Sequence, residues 1–158
     1  MSGTVLLQVQ NAVRDALTGD AALSALVTGV FDHVPADQPF PYVVLGEKTE
    51  KDLSAFGRSG AAATLVVEVR SRAAGDTELL TVYDRVKQVL DTGTLSLAGH
   101  EEVFRRTSLV KTAVDEDGVT RRAEARFEVT AQEQLPPAET PPAEPDPVEP
   151  PPEEPAQQ

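Results

Sequence analysis

Asp117-Gly-Val-Thr-Arg-Arg-Ala-Glu-Ala-Arg-Phe-Glu-Val-Thr-Ala131 alternates small or apolar residues with charged or polar ones over its second half. A period of two puts Ala123, Ala125, Phe127, Val129 and Ala131 on one face of a strand, and Arg122, Glu124, Arg126 and Glu128 on the other. Asp117-Gly118 supplies turn chemistry, so residues 102–114 and 119–131 form the two arms of a hairpin. A hairpin with one apolar face is half a core. The covering layer has to come from the rest of the chain.

Working backward, residues 76–91 supply it. Leu79, Leu80, Tyr83, Val86 and Leu90 fall on the core-facing stripe of an amphipathic helix. Asp76 is placed to accept its first free amides, and Gly93 stands where it should stop. Residues 61–72 alternate again, with Leu65, Val67 and Val69 against Val66, Glu68 and Arg70. Pro41-Tyr-Val-Val-Leu-Gly46 is a β-rich run with proline at its permitted first position. Between those strands, residues 47–60 mix charges with Ser, Gly and Phe56 and read as a long mobile loop. Val30, Phe31 and Val34 suggest a short strand before the rigid, three-proline connection at 35–41. At the start, Val5, Leu6, Val9, Val13, Ala16 and Leu17 make a helical stripe, capped by Thr4 or Ser2 and stopped at Gly19. Asp20 caps a second, short helix whose Leu23, Leu26 and Val27 face the core and which Gly29 ends. The order is ααβββαββ. It predicts an α+β domain in which an αα corner and one long helix pack on one face of a mostly antiparallel sheet.

The 158 residues include 26 acids and 14 bases, a formal net charge of −12. Ten of the 13 prolines and six of the acids lie in residues 136–158, which hold no Lys or Arg. Such a stretch lacks the apolar surface to offset ordering, so a disordered acidic tail is expected after a single domain at residues 1–135. The domain keeps 20 acids and 14 bases, a net of −6. That balance argues against the broad basic face of non-specific DNA binders. The absence of cysteine excludes disulfides, thiolate metal sites and cysteine nucleophiles. No apolar run reaches the roughly 18 residues that span a bilayer, and no signal-peptide pattern opens the chain, so folding in a cytoplasm is expected.

Candidate chemistry is sparse. Asp115-Glu116-Asp117-Gly118 with Glu124 resembles part of a calcium loop, but Ala113 occupies the first ligand position and the flanks have strand period; a hairpin turn is the better reading. His33 and His100 border connecting segments. Asp32 beside His33, and Glu101 beside Glu102, diverge if they lie on strands and so make no catalytic pair. Gly57-Arg-Ser-Gly60 lacks the spacing and the Lys of a phosphate loop. No nucleophile, base and orienting group can be assembled, so a small hydrolase is disfavoured and no catalytic residue, cofactor or metal is assigned. Arg105-Arg106 and Arg121-Arg122 are expected to pair across the hairpin with Glu124 and Glu128 or their neighbours. Lys48, Lys51 and Arg58 gather positive charge around Phe56 in an acidic chain. They are the candidate interface with another subunit or a partner, unless Phe56 folds back onto the body.

Three further stretches carry a resemblance. Asp20-Ala-Ala-Leu-Ser-Ala-Leu-Val27, Val30-Phe-Asp-His-Val-Pro-Ala-Asp37 and Phe40-Pro-Tyr-Val-Val-Leu-Gly46 resemble the opening of the small tail terminator (tail completion) proteins of long-tailed bacteriophages and prophages. The likeness continues through Leu65-Val-Val-Glu-Val-Arg-Ser-Arg72, the helix with Val86 and Leu90, and residues 121–129, and covers residues 3–132. It implies a structural virion protein without enzymatic activity. Such proteins form a ring, usually of six copies, that caps the tail tube and meets the head-completion (connector) proteins, while DNA passes through the lumen without specific binding. The implied location is the head–tail interface of a virion assembled in bacterial cytoplasm, with no membrane involved. An acidic body suits a DNA conduit, since like charge does not hold the duplex. The alternative is a non-catalytic bacterial adaptor that uses its proline-rich tail to bind a partner.

Overall fold

The computed structural model describes residues 4–135, 147–148 and 150–152. The expected disordered tail therefore lies almost wholly outside the described residues; Pro147, Val148 and residues 150–152 are exposed and without regular structure.

Helix α1 (Val5–Gly19) starts at Thr4, whose hydroxyl accepts the Leu7 amide, and buries Val5, Val9, Ala12, Val13 and Leu17. Helix α2 (Ala21–Leu26) starts at Asp20, whose carboxylate accepts the Leu23 amide at 2.8 Å. It ends before Gly29, because the chain is already extended at Val27, and of its expected apolar face only Leu23 is buried. The strands are β1 (Val30–Phe31), β2 (Tyr42–Asp52), β3 (Gly60–Ser71), β4 (His100–Val114) and β5 (Arg121–Glu133), with α3 (Thr77–Thr92) between β3 and β4. The ααβββαββ order and the α+β class hold. The strands form one sheet in the order β1-β2-β3-β5-β4, antiparallel except for the β1–β2 pair.

Register explains the core. Leu65 of β3 lies opposite Phe127 of β5, which lies opposite Thr107 of β4. The face carrying Val43, Leu45, Ala63, Leu65, Val67, Val69 and the apolar side of β5 is covered by α1 and α3 in one hydrophobic cluster. Among the described residues, the opposite face carries no helix.

Three expectations need correction. Residues 47–60 are not one long loop. β2 continues to Asp52 in register with β3, from Lys48 opposite Leu65 to Asp52 opposite Ala61, after an irregularity between Leu45 and Lys48. Its second half is polar on both sides, so no alternation marks it. The ladder holds it, together with Lys48 bonded to Asp32 at 2.9 Å and Glu50 accepting the Leu6 amide at 2.7 Å. The second concerns α3, where Leu80 is 40% exposed while Val82 and Val89 are buried, so the covered stripe is rotated from the expected one. The third is Asp76: its side chain makes no cap bond, because it accepts Arg121 Nη1 at 2.9 Å instead. Gly93 does end the helix, in extended backbone; a Cβ there would lie 2.5 Å from the Val89 carbonyl oxygen, so close approach is what demands glycine.

Candidate assembly surface

β4 closes the sheet and, among the described residues, is paired on one side only. Shifts in its register with β5 leave Val103 and Val110 as bulged residues. Val103, Phe104, Leu109, Val110 and Val114 are all between 42% and 57% exposed. A long edge strand with free backbone groups and apolar side chains is a ready template for another chain. Sequence reading missed this surface. Its signal was the pair of apolar doublets, Val103-Phe104 and Leu109-Val110, that break a strict alternation where the bulges fall.

Charge along β4 is largely neutralised within the subunit. Arg105 grips Glu102 at 2.5 and 2.8 Å and reaches the Leu90 carbonyl at 2.8 Å and that of Gly93, clamping β4 to the end of α3. Arg106 pairs with Glu128, and Lys111 lies 3.7 Å from Glu124. Arg121 goes to Asp76, and Arg122 lies 3.5 Å from Asp115. Of the four arginines expected to pair across the hairpin, Arg106 reaches Glu128 and Arg122 a tip residue. Arg105 and Arg121 do not, because their parity points them to the helix-covered face. Glu101 meets the Gln132 amide at a long 3.5 Å.

At the end of the β2–β3 hairpin, Phe56 and Gly57 are the centre of a tight turn closed by backbone bonds of 3.1 and 3.0 Å between Ala55 and Arg58. Their φ angles are +51° and +78°, as a type I′ turn requires. A phenylalanine in that region is strained, and its ring is fully exposed instead of folded back. Lys51, opposite Ala62, lies on the helix-free face, and Arg58 sits in the turn; neither has an ion-pair partner among the described residues. Lys48 lies on the other face, opposite buried Leu65, where its bond holds the Asp32 carboxyl below the usual range. The structure thus places Lys51, Phe56 and Arg58 at one hairpin end and commits Lys48 to an internal pair.

The other candidates are structural. Asp117 accepts the Val119 amide at 2.9 Å and the Thr120 amide and hydroxyl at 2.8 and 2.5 Å. Those bonds, the Thr120 hydroxyl's first, lower its pKa to about 2. The segment is a hairpin turn, and among the described residues no three His, Asp or Glu side chains are grouped to hold a metal ion. His100 Nδ1 lies 3.1 Å from the Gln8 side chain and from the Ala98 carbonyl, tying the start of β4 to α1, and His33 is exposed. A recess of about 470 Å³ where α1 meets α3 contains Asp20 and Arg85, but these are bonded to each other at 2.8 and 2.6 Å. The exposed apolar side chains of β4 and the exposed end of the β2–β3 hairpin are contact surfaces.

Comparison with known proteins agrees. A family model described as tail completion protein gp17 matches residues 11–132. A chain solved in the virion of a native gene transfer agent particle is 30% identical, with a TM-score of 0.74 over 83% of this chain and 99% of that one. The gp17 protein of bacteriophage SPP1 is 25% identical, with a TM-score of 0.56 over 78% of this chain and 88% of that one. No curated protein sequence matches the chain. By the extent of the family match and the identity to the virion chain, the protein belongs to the tail completion protein gp17 family.

Proposed function

We propose that copies of this chain close into a ring, of six subunits by the family resemblance, that caps the tail tube and joins it to the head-completion proteins, leaving a lumen for DNA. The observation that carries this reading is β4, an uncovered apolar edge on a member of a tail completion family. A ring buries such an edge in every copy and leaves none open. Residues 1–135 do the assembling, and the acidic tail at 136–158 is an appendage outside that domain. Lys51, Phe56 and Arg58 are assembly contacts, with Lys48 bracing β2 from behind. The lumen passes DNA without specific contacts, since a domain of net charge −6 does not attract phosphate. No turnover is involved, and assembly takes place in the host bacterial cytoplasm. Deleting the gene tests the reading: heads and tails should accumulate unjoined, and restoring the full chain should restore joined particles bearing a ring at the junction. Normal yields of joined particles without the protein would overturn it.

A further inference from the structure

The sheet has two unequal margins. At one, no strand among the described residues pairs with the outer side of β4. At the other, β1 covers only Val43 and Val44 of β2, and among the described residues no strand pairs with the outer side of residues 45–52. A cyclic assembly needs two such margins, one for the preceding copy and one for the next.

Lys51 stands opposite Ala62, which pairs with Thr130, and Glu101 stands opposite Gln132, which pairs with Gly60. Both are therefore at the same end of the sheet and on the same helix-free face. Within one copy three strand spacings, about 14 Å, separate β2 from β4, beyond the roughly 8 Å screening length of physiological salt. The cation and the carboxylate cannot satisfy each other inside a subunit. Copies repeated in one orientation around an axis bring the β2 margin of one beside β4 of the next, which returns Lys51 to the end where Glu101 stands. Because β2 and β4 run in opposite directions, the strands meeting at that junction are antiparallel.

Resting on the ring reading, we infer that neighbouring copies join their sheets edge to edge, β2 beside β4, with Lys51 facing Glu101 and the Phe56 tip projecting beyond that pair, past the start of β4. Arg58 adds a second cation at that tip. Phe104, opposite Thr130, shares the helix-free face with Lys51, and Val103 is bulged and exposed beside it. The tip's own acids are engaged elsewhere: Asp52 accepts the Ser54 amide and Glu50 the Leu6 amide, both from the helix-covered parity. Identical acidic subunits repel, so a junction belongs where local charge is opposite and the ground is apolar.

The chain has no cysteine, which permits a clean test. Full-length Lys51→Cys/Glu101→Cys is incorporated into particles, oxidised and run without reductant. Within one copy the two positions are too far apart for a disulfide, which needs Cα atoms within about 7 Å. A ladder of covalent multimers that collapses on reduction, and that neither single variant shows, is the expected result. Monomer alone, from particles holding the normal amount of the protein, overturns the edge-to-edge contact. Charge exchange tests it independently. Lys51→Glu and Glu101→Lys should each lower the yield of assembled rings at least about tenfold, and the double exchange should recover most of it. Single variants that assemble like the parent, or a double no better than either, overturn the contact. A parent protein present in particles as a single copy overturns the ring reading itself.

Discussion

Phe127→Ala is the sharpest probe of the fold. Phe127 is the largest side chain with no exposed surface, and it sits on β5 between Leu65 and Thr107, in the cluster that includes Val82, Tyr83 and Val86 of α3. β5 is held by ladders on both sides, to β3 and to β4, so the backbone cannot close over the space a methyl group would leave. Truncating a buried phenylalanine costs about 3–5 kcal/mol, and this constraint favours the upper half of that range. A domain of about 130 residues has an unfolding entropy of about 270 cal/mol/K, so the melting midpoint should fall by about 11–19 °C. The loss is a large share of a total stability of roughly 5–15 kcal/mol. Urea titration with an unchanged slope, and melting followed by circular dichroism, measure it. Leu80→Ala is the control: it belongs to the stripe read from the helical period, yet it is 40% exposed and should cost less than about 1 kcal/mol. A Phe127→Ala cost below about 1 kcal/mol, or equal costs at the two positions, would refute the packing described here.

Three other outcomes are expected. Phe56→Gly should keep or raise the melting midpoint, because glycine carries no penalty at φ +51° and the exposed ring contributes no packing; a drop of several degrees would mean that the ring is packed. Asp117 has a folded pKa of about 2 against 3.8 for the free group. The folded value is the lower one, so its stabilisation is complete above about pH 4 and disappears as the pH falls through about 2. Melting curves across that window should show a flatter pH dependence for Asp117→Asn, and equal slopes in the two proteins would contradict the assignment. A chain ending at Leu135 should melt within a few degrees of the full chain; a larger loss would show that the acidic tail docks on the domain.

Much of the architecture was legible because burial along a core strand is uniform. Leu65, Val67 and Val69, and then Ala123 through Ala131, declare their inner face by simple alternation, and the helical stripes at Val5–Leu17 and Leu79–Leu90 declare theirs by a period of 3.6. Where a strand runs past the core, that signal ends. Residues 47–52 are polar on both sides, and only the ladder with β3 makes them a strand. A helical stripe also spans a wide angle, so the choice of Val82 over Leu80 was made by how α3 lies on the sheet.

The assembly surface divides in the same way. Composition alone singled out Lys48, Lys51, Phe56 and Arg58 in an acidic chain. It could not separate Lys48 from Lys51, which are chemically identical and three residues apart. The irregularity between Leu45 and Lys48 resets the strand's parity, turning Lys48 inward to Asp32 and Lys51 to the open face. The fully exposed ring of Phe56 depends likewise on a turn closed by residues on both sides of it. The open edge of β4 is a property of strand order, since any of the antiparallel strands could have closed the sheet on sequence grounds. By itself the sequence determined the elements, their inner faces and the charge balance, because each is encoded in neighbouring residues. The tertiary structure decided which edge stays open and which cations remain unpaired, because pairing joins positions far apart in the chain.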